Sequence, residues 1–481
     1  MDALRVHITA YGCQMNRLDA ALVAEVMQAA GALIVADAAE ADVLLYLTCA
    51  VRGHAEDRVF SNLGALAARK RRRPDLVVGL LGCMAQEHGA GALARAPVVD
   101  LVCAPGRLAD LPDLVARARA GERPVALDPR REESDAGGAA SDAALDRIAV
   151  GRAPGGEWPG QAYVVAMRGC DNFCAYCVVP YVRGPERSRR PDVILEEARR
   201  LVDGGVREIT LLGQAVNRYQ AAPPQSGASP WRGRAESGGR TWDLADLLAA
   251  VAAVPDLARL RFVTSHPGAM TPRLALAFRD VPHVMPHLHM PAQAGSDAVL
   301  RRMNRGYTAA EYAARVAMVR EAAPEVAVVS DFIVGFPGET AADFEATLDL
   351  VRRMRFAAGF VFKYSPRPGT AAAREFPDDV PADQKRRRHQ ALSEAIAAIA
   401  AEENRRFVGR RVRVLVEGAS PRPNLHAAGR RLRPGWGQLR GRTPCHRLVV
   451  LDGPPELIGR EVEAEVVEAG ALTLFGRIPE E

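Results

Sequence analysis

Three apolar runs in the first hundred residues each lead into a cysteine, and this rhythm restricts the fold more than any other feature. Val6 to Tyr11 precedes Cys13, Val43 to Leu47 precedes Cys49, and Leu76 to Leu81 precedes Cys83. The cysteines lie 36 and 34 residues apart, about one βα repeat. Leu18 to Ala30 and Ala55 to Ala68 between them carry helical periodicity, so the runs are expected to be buried parallel strands. Ligands of an open α/β sheet bind beyond the carboxyl ends of its strands, so the repeat gathers the three thiols at one edge. Glycines stand just before two of them, Gly12 and Gly82, where a tight turn lets backbone approach closely. One such cysteine is commonly core filler; three at equivalent strand ends can hold a cluster.

A second set is denser. Cys170, Cys174 and Cys177 are spaced C-x3-C-x2-C after the apolar run Tyr163 to Met167. Three thiolates at this spacing can hold one 4Fe-4S cubane and leave its fourth iron open to a substrate. A purely electron-carrying cluster would want a fourth cysteine nearby, and the next is Cys445. Six of the eight cysteines thus fall into two sets of three, too few for a disulfide scaffold in so long a chain. Cys103 and Cys445 are expected to be unpaired thiols without a catalytic role.

The length, 481 residues, suits about three domains. The N-terminus shows no signal peptide and no apolar stretch reaches the roughly 18 residues of a membrane span. A cytoplasmic protein without a membrane partner is expected. Net charge is only +5, but Arg405 to Arg447 holds twelve arginines against one acid, Glu417. A partner bearing phosphates is the natural complement.

The expected domains are 1–125, an open parallel α/β domain; 126–158, a Gly-, Pro- and Ala-rich linker; 159–403, a barrel domain; and 404–479, a small β-barrel. In the barrel domain six strand candidates (Tyr163 to Met167, Glu208 to Leu212, Leu260 to Thr264, Met285 to Met290, Val326 to Ile333 and Gly359 to Tyr364) alternate with helical stretches. That pattern predicts a partial (β/α)6 barrel whose site opens at the C-terminal strand ends. Ala221 to Arg240, rich in Pro, Ser and Gly, is expected to be a disordered insertion. A helix over Pro381 to Arg406 leads to the last segment, where Arg411 to Val416, Leu439 to Gly441, Leu448 to Leu451 and Glu461 to Val467 read as barrel strands.

Read together, these segments resemble the methylthiotransferases of the radical SAM (S-adenosylmethionine) superfamily over essentially the whole chain. The likeness rests on Tyr11-Gly12-Cys13-Gln14-Met15-Asn16, Thr48-Cys49-Ala50-Val51-Arg52 and Gly82-Cys83-Met84-Ala85-Gln86 at the N-terminus. In the centre it rests on the triplet, Val179-Pro180-Tyr181-Val182-Arg183-Gly184, Leu212 to Asn217, Thr264-Ser265-His266-Pro267, Ser330 to Thr340 and Tyr364 to Thr370. Gly441-Arg442-Thr443 is similar to the signature of the TRAM domain, an RNA-binding β-barrel. Departures are Leu47 where Asn is usual, Ala294 where Ser is usual, and Cys445-His446 before Arg447.

The resemblance implies two 4Fe-4S clusters, on Cys13, Cys49 and Cys83 and on Cys170, Cys174 and Cys177, with S-adenosylmethionine as radical source and methyl donor. It implies sulfur insertion at C2 of N6-dimethylallyl(isopentenyl)adenosine next to the tRNA anticodon, followed by methylation. Partners are then the tRNA anticodon stem-loop, an electron donor such as flavodoxin or ferredoxin, and a sulfur source. Tyr176 and Gln293 are candidates for cofactor contact, each equally readable as a structural residue. Arg183 and Arg189 are candidates for RNA phosphate or cofactor carboxylate. His283, His287 and His289 suit hydrogen-bonded core positions better than a metal. Arg410, Arg411, Arg413, Arg430, Arg431, Arg433, Arg440 and Arg442 are expected to grip RNA phosphates, with Trp436 or Phe475 stacking or filling the barrel. Other readings are the same chemistry on threonylcarbamoyl-adenosine or a ribosomal-protein aspartate, and a non-catalytic RNA-binding iron–sulfur protein.

Overall fold

The computed structural model describes residues 3–48, 50, 53–129, 134–152, 159–224, 241–421 and 433–479. Cys49, Arg430, Arg431 and positions 225–240 of the expected insertion lie outside the described residues.

The N-terminal domain alternates β1 (Arg5–Ala10), α1 (Gln14–Ala29), β2 (Leu33–Ile34), β3 (Val43–Thr48), α2 (Gly53–Arg72), β4 (Val77–Gly82), α3 (Cys83–His88), β5 (Leu101–Cys103), α4 (Leu111–Arg119) and β6 (Val125–Ala126). The strands form a parallel sheet in the order β2-β1-β3-β4-β5-β6. Every residue of β3 and β4 is buried, as expected for central strands covered by helices on both faces. The order reverses between β1 and β3, which makes their carboxyl edge the binding crevice of a doubly wound sheet. Cys13 follows β1 and Cys83 follows β4 at this edge; Cys103 lies inside β5, fully buried.

The stretch 126–158 is not a featureless linker. It contains α5 (Ser134–Gly151), whose Leu145 and Ala149 are buried and whose Ile148 packs beside them. Asp142 and Asp146 on its outer turns pair with Arg168, Arg187 and Arg189 of the next domain. The helix therefore forms through tertiary contacts, despite the weak propensity of Gly137 and Gly138.

The central domain comprises β7 (Gln161–Val165), α6 (Val179–Val182), α7 (Pro191–Asp203), β8 (Glu208–Leu212), α8 (Leu244–Ala252), β9 (Arg259–Phe262), α9 (Pro272–Asp280), β10 (His287–His289), α10 (Asp297–Arg302), α11 (Ala309–Ala322), β11 (Ala327–Val334), α12 (Ala341–Met354), β12 (Ala358–Lys363) and α13 (Ala382–Arg405). β7, β8 and β9 pair in parallel, as do β10, β11 and β12. The two halves join where Leu260 N–H donates to His283 O at 2.7 Å and Met285 N–H to Leu260 O at 2.9 Å. Six strands thus curve into an incomplete barrel with helices outside, and β7 and β12 are its two edges. Capping boxes start α8, α11 and α12 through Asp243/Asp246, Thr308/Glu311 and Thr340/Asp343.

Beyond α13, a closed barrel runs β13 (Arg411–Ala419), β14 (Gly437–Arg442), β15 (Leu448–Gly453), β17 (Thr473–Arg477) and β16 (Glu461–Ala469) in spatial order. The strand over Thr473–Arg477 was not evident from sequence. Val414, Val416, Leu439, Val449, Leu451, Ala464, Val466 and Leu474 fill this barrel. Its β14–β15 loop closes the lower end of the central barrel. Arg259 donates to Glu461 Oε2 at 2.7 Å and to Arg442 O at 2.8 Å, and Arg261 to Pro444 O at 2.8 Å and Thr443 O at 3.1 Å.

Candidate active site

The triplet lies on the loop after β7, whose neck is closed by a short antiparallel ladder between Met167–Arg168 and Arg187–Ser188. Gly169, just before Cys170, sits at φ +74, and a Cβ there would collide with Pro185 O, so only glycine lets the loop fold back. Phe173 also adopts a left-handed conformation, φ 46, and Cys177 N–H donates to Cys174 O at 2.9 Å. These turns bring the three cysteines onto one tight loop.

The surroundings suit thiolates. Asn172 Nδ2 donates to Cys170 Sγ at 3.2 Å, and Arg305 Nη1 to Cys174 Sγ at 3.0 Å. Arg305 is 6% exposed; its other bonds go to Tyr307 OH and Pro291 O. Among the described residues no carboxylate pairs with it, so thiolates at the triplet would be its compensating anion. Burial pushes the Cys177 thiol up to about 12, and the neighbouring Cys174 adds to the rise. Iron held by these cysteines would therefore have to displace protons. No three His, Cys, Asp or Glu side chains among the described residues converge on a single-ion site; a cubane spreads its ligating sulfurs over different irons.

Cys83 of the N-terminal domain faces this loop. α3, which begins at Cys83, packs on α6, and Ala50, Cys83, Val178 and Val182 form one apolar cluster. Gly82, at φ +91, would drive a Cβ to 2.9 Å from Thr48 O. Arg183 crosses the boundary: its Nε donates to Cys83 Sγ at 3.0 Å and its Nη2 to Asp19 Oδ2 at 2.7 Å and Asn16 Oδ1 at 3.4 Å. Burial raises the Cys83 thiol to about 11, with Arg183 pulling the other way. α1 lays Met15, Leu18 and Leu22 onto Val165, Leu212 and Val263 of the central strands, with Cys13 at the margin.

Several sequence expectations land elsewhere. Arg183 is committed to Cys83 and Asp19, and Arg189 is buried between Glu197, Asp146 and Val165 O, so neither is available to RNA. Arg442 pairs with the buried Glu417 at 3.1 Å and Arg413 with Glu461 at 3.2 Å; Arg410, Arg411 and Arg433 are exposed and Arg440 half-buried. Trp436 is half-buried under Arg433, and Phe475 alternates outward from the core residue Leu474. His287 packs against His446 with ring centroids 4.7 Å apart and planes tilted by 46°, and His289 Nε2 lies 3.2 Å from Asp331 Oδ1. Burial takes His287 well below its ordinary range.

Tyr176 packs against the central core, its phenol pushed up by burial while Arg305 opposes the rise. Gln293 is held at φ +70 by backbone bonds to Asp331 and Ile333 at 2.9 Å, at the carboxyl end of the barrel. The Leu212–Asn217 and Thr264–Pro267 stretches lock together there: Asn217 Nδ2 donates to His266 O at 2.8 Å and His266 N–H to Asn217 Oδ1 at 2.7 Å.

Sequence reasoning missed the open wall opposite. Phe360 and Phe362 on edge strand β12 are 57% and 38% exposed. Gly359 meets Ile396 of α13, and Val361 packs into the helix-side core, so the two phenylalanines face the barrel interior beside Asp331 and Ile333, their register partners. The Phe-x-Phe alternation against a Gly-x-Val face was the available signal.

Family models match all three parts of the chain: the Radical SAM superfamily over residues 164–351, the Uncharacterized protein family UPF0004 over 5–104, and the TRAM domain over 405–478. The chain is 41% identical to the tRNA-2-methylthio-N(6)-dimethylallyladenosine synthase of Rhodopirellula baltica over 98% of this chain and 95% of that one. It is likewise 41% identical to the synthase so named from Methylococcus capsulatus, over 98% and 95%. This chain belongs to the tRNA-2-methylthio-N(6)-dimethylallyladenosine synthase family. For that synthase family a solved structure supplies a fold comparison alone: TsrM from Kitasatospora setae, a radical S-adenosylmethionine methyltransferase with cobalamin and a 4Fe-4S cluster bound. It aligns with TM-score 0.50 and 13% identity over 77% of each chain.

Proposed function

We propose that this chain inserts sulfur at C2 of N6-dimethylallyladenosine next to the tRNA anticodon and methylates it, using S-adenosylmethionine both as radical source and as methyl donor. The observation that carries the reading is that two cysteines of the N-terminal domain lie against the triplet's own loop: Arg183 of that loop donates to Cys83 Sγ and to Asn16, whose Oδ1 also meets Cys13 Sγ. A radical generator alone would need no second set.

When bound, a 4Fe-4S cluster on Cys170, Cys174 and Cys177 supplies an open iron for the cofactor's amino and carboxylate groups and the electron that cleaves it, while one on Cys13, Cys49 and Cys83 supplies the site of sulfur transfer. The residues do the rest. Arg305 and Asn172 orient the triplet, Tyr176 and Gln293 bound the cofactor side, and α1 shields the strand ends from water. The adenine is turned out of the anticodon loop at a cost of about a few kcal/mol, and Phe360 and Phe362 receive its flat face and dimethylallyl group. That apolar wall favours a prenylated base over threonylcarbamoyl-adenosine, whose carboxylate it would desolvate. Arg410, Arg411 and Arg433 contact phosphates of the stem. Flavodoxin or ferredoxin supplies electrons and a separate donor replenishes sulfur; the setting is the cytoplasm. Among the described residues no helix is long and apolar enough to cross a membrane.

Nucleoside mass spectrometry of tRNA from a deletion strain and its complemented partner tests the reading. Loss and return of the methylthio group on prenylated adenosine is expected. Its persistence in the deletion strain, with no paralogue present, contradicts the proposal.

A further inference from the structure

Arg183 belongs to the central domain, just past α6, yet every acceptor of its side chain lies in the N-terminal one. Its guanidinium touches Cys83 Sγ at 3.0 Å, Asp19 Oδ2 at 2.7 Å and Asn16 Oδ1 at 3.4 Å. Arg183 and Asp19 are each 8% exposed in their side chains, so water does little to screen them. Asn16 ties in the other described cysteine of the set, with Cys13 Sγ 3.8 Å from the same Oδ1, and is anchored by its Nδ2 on Tyr11 O at 2.8 Å. The order is carboxylate, guanidinium, sulfur, with the positive end of the pair against Cys83.

A hydrogen bond and a buried cation at a ligating sulfur stabilise the more negative, reduced form of a cluster, and a carboxylate behind the cation offsets part of that effect. We propose that Arg183, a positioning residue, sets the reduction potential of the N-terminal cluster from across the domain boundary, with Asp19 as its counterweight. The N-terminal centre is then composite. Its ligands come from one domain and its charge-assisted donor from the loop that carries the radical-generating triplet, so its potential reaches its working value only when the two domains are docked. This rests on the reading of Cys13, Cys49 and Cys83 as cluster ligands.

The test uses full-length protein reconstituted anaerobically in a background where Cys170, Cys174 and Cys177 are all changed to Ala, so that only the N-terminal cluster remains. Iron and sulfide analysis of that background comes first; absence of a cluster overturns the ligand reading, and this proposal with it. With the cluster present, potentiometric titration followed by electron paramagnetic resonance reads its midpoint. Arg183→Gln is expected to shift it to more negative values, Asp19→Asn to more positive values, and Arg183→Lys to restore most of the first shift. Loss of packing alone cannot give opposite signs for two members of one pair. Shifts of the same sign in Arg183→Gln and Asp19→Asn, or no shift in either, would overturn the proposal while leaving the ligand reading intact.

Discussion

Arg305 allows a sharp test of whether the triplet carries negative charge in the working protein. The substitution Arg305→Met keeps most of the side-chain stem and removes the cation. In the iron-free protein Arg305 is a buried charge, 6% exposed, with no carboxylate among the described residues, and burying such a charge costs several kcal/mol. Its removal forfeits bonds to Tyr307 OH at 2.9 Å and Cys174 Sγ at 3.0 Å, worth about 1 kcal/mol each, and a longer, weaker one to Pro291 O at 3.4 Å. Tyr307 OH keeps its own bond to Ala292 O at 3.0 Å. Iron-free Arg305→Met should therefore be as stable as the parent or up to about 2 kcal/mol more stable. The loaded form instead loses a charge-assisted bond worth about 1.5–3 kcal/mol. Cluster affinity falls by the combined difference, about 3 kcal/mol or roughly 100-fold. Thermal unfolding of iron-free and reconstituted protein, at about 2–4 °C per kcal/mol for a domain of this size, reads the two signs, and iron release to a chelator reads the affinity. An iron-free variant destabilised as much as the loaded one would show that Arg305 is only a packing element.

Arg259→Met should loosen the terminal barrel: it removes the bonds to Glu461 and Arg442 O while Glu461 keeps Arg413 and Glu208 keeps Arg261, at a cost of about 1.5–3 kcal/mol, read as a separate low-temperature transition and new proteolysis after α13. Phe360→Ala should raise KM for a prenylated anticodon stem-loop about 10-fold, equivalent to about 1.4 kcal/mol of stacking, with S-adenosylmethionine cleavage unchanged. His266 accepts from Gly268 N–H at 3.2 Å, and burial, with Arg305 and Arg218 nearby, lowers it to about 3. Below the free value of 6.5 the unfolded chain takes up a proton that the native imidazole refuses. His266 should therefore contribute a fall in stability with acidification of up to about 1.4 kcal/mol per pH unit, so denaturant titrations at pH 4 to 7 should show a shallower slope in His266→Gln than in the parent, with the buried His287 and His446 supplying the remainder.

What the sequence disclosed was local or periodic. The strand-to-cysteine repeat located Cys13 and Cys83 at one sheet edge, and the C-x3-C-x2-C spacing located the triplet, because both patterns lie within single βα units. What it hid depends on partners that only the folded chain brings together. α5 carries a short apolar stripe, Leu145, Ile148 and Ala149, and is held by Asp142 and Asp146 reaching Arg168, Arg187 and Arg189. Arg183 and Arg189 look like solvated loop arginines until Asp19 and Glu197 are brought to them. Arg442 is similar: its position in a basic run suggests phosphate, and its bond to Glu417 is not legible from that run. Charge density in sequence says that arginines are many; only packing says which are already paired.

Two cysteine sets divide the labour in this reading, and turnover of a prenylated stem-loop by three reconstituted proteins tests it. Parent protein should yield 5′-deoxyadenosine and methylthiolated nucleoside, Cys174→Ala should yield neither, and Cys83→Ala should yield 5′-deoxyadenosine without the methylthiolated product. Methylthiolation by Cys83→Ala at the parent rate would contradict the account.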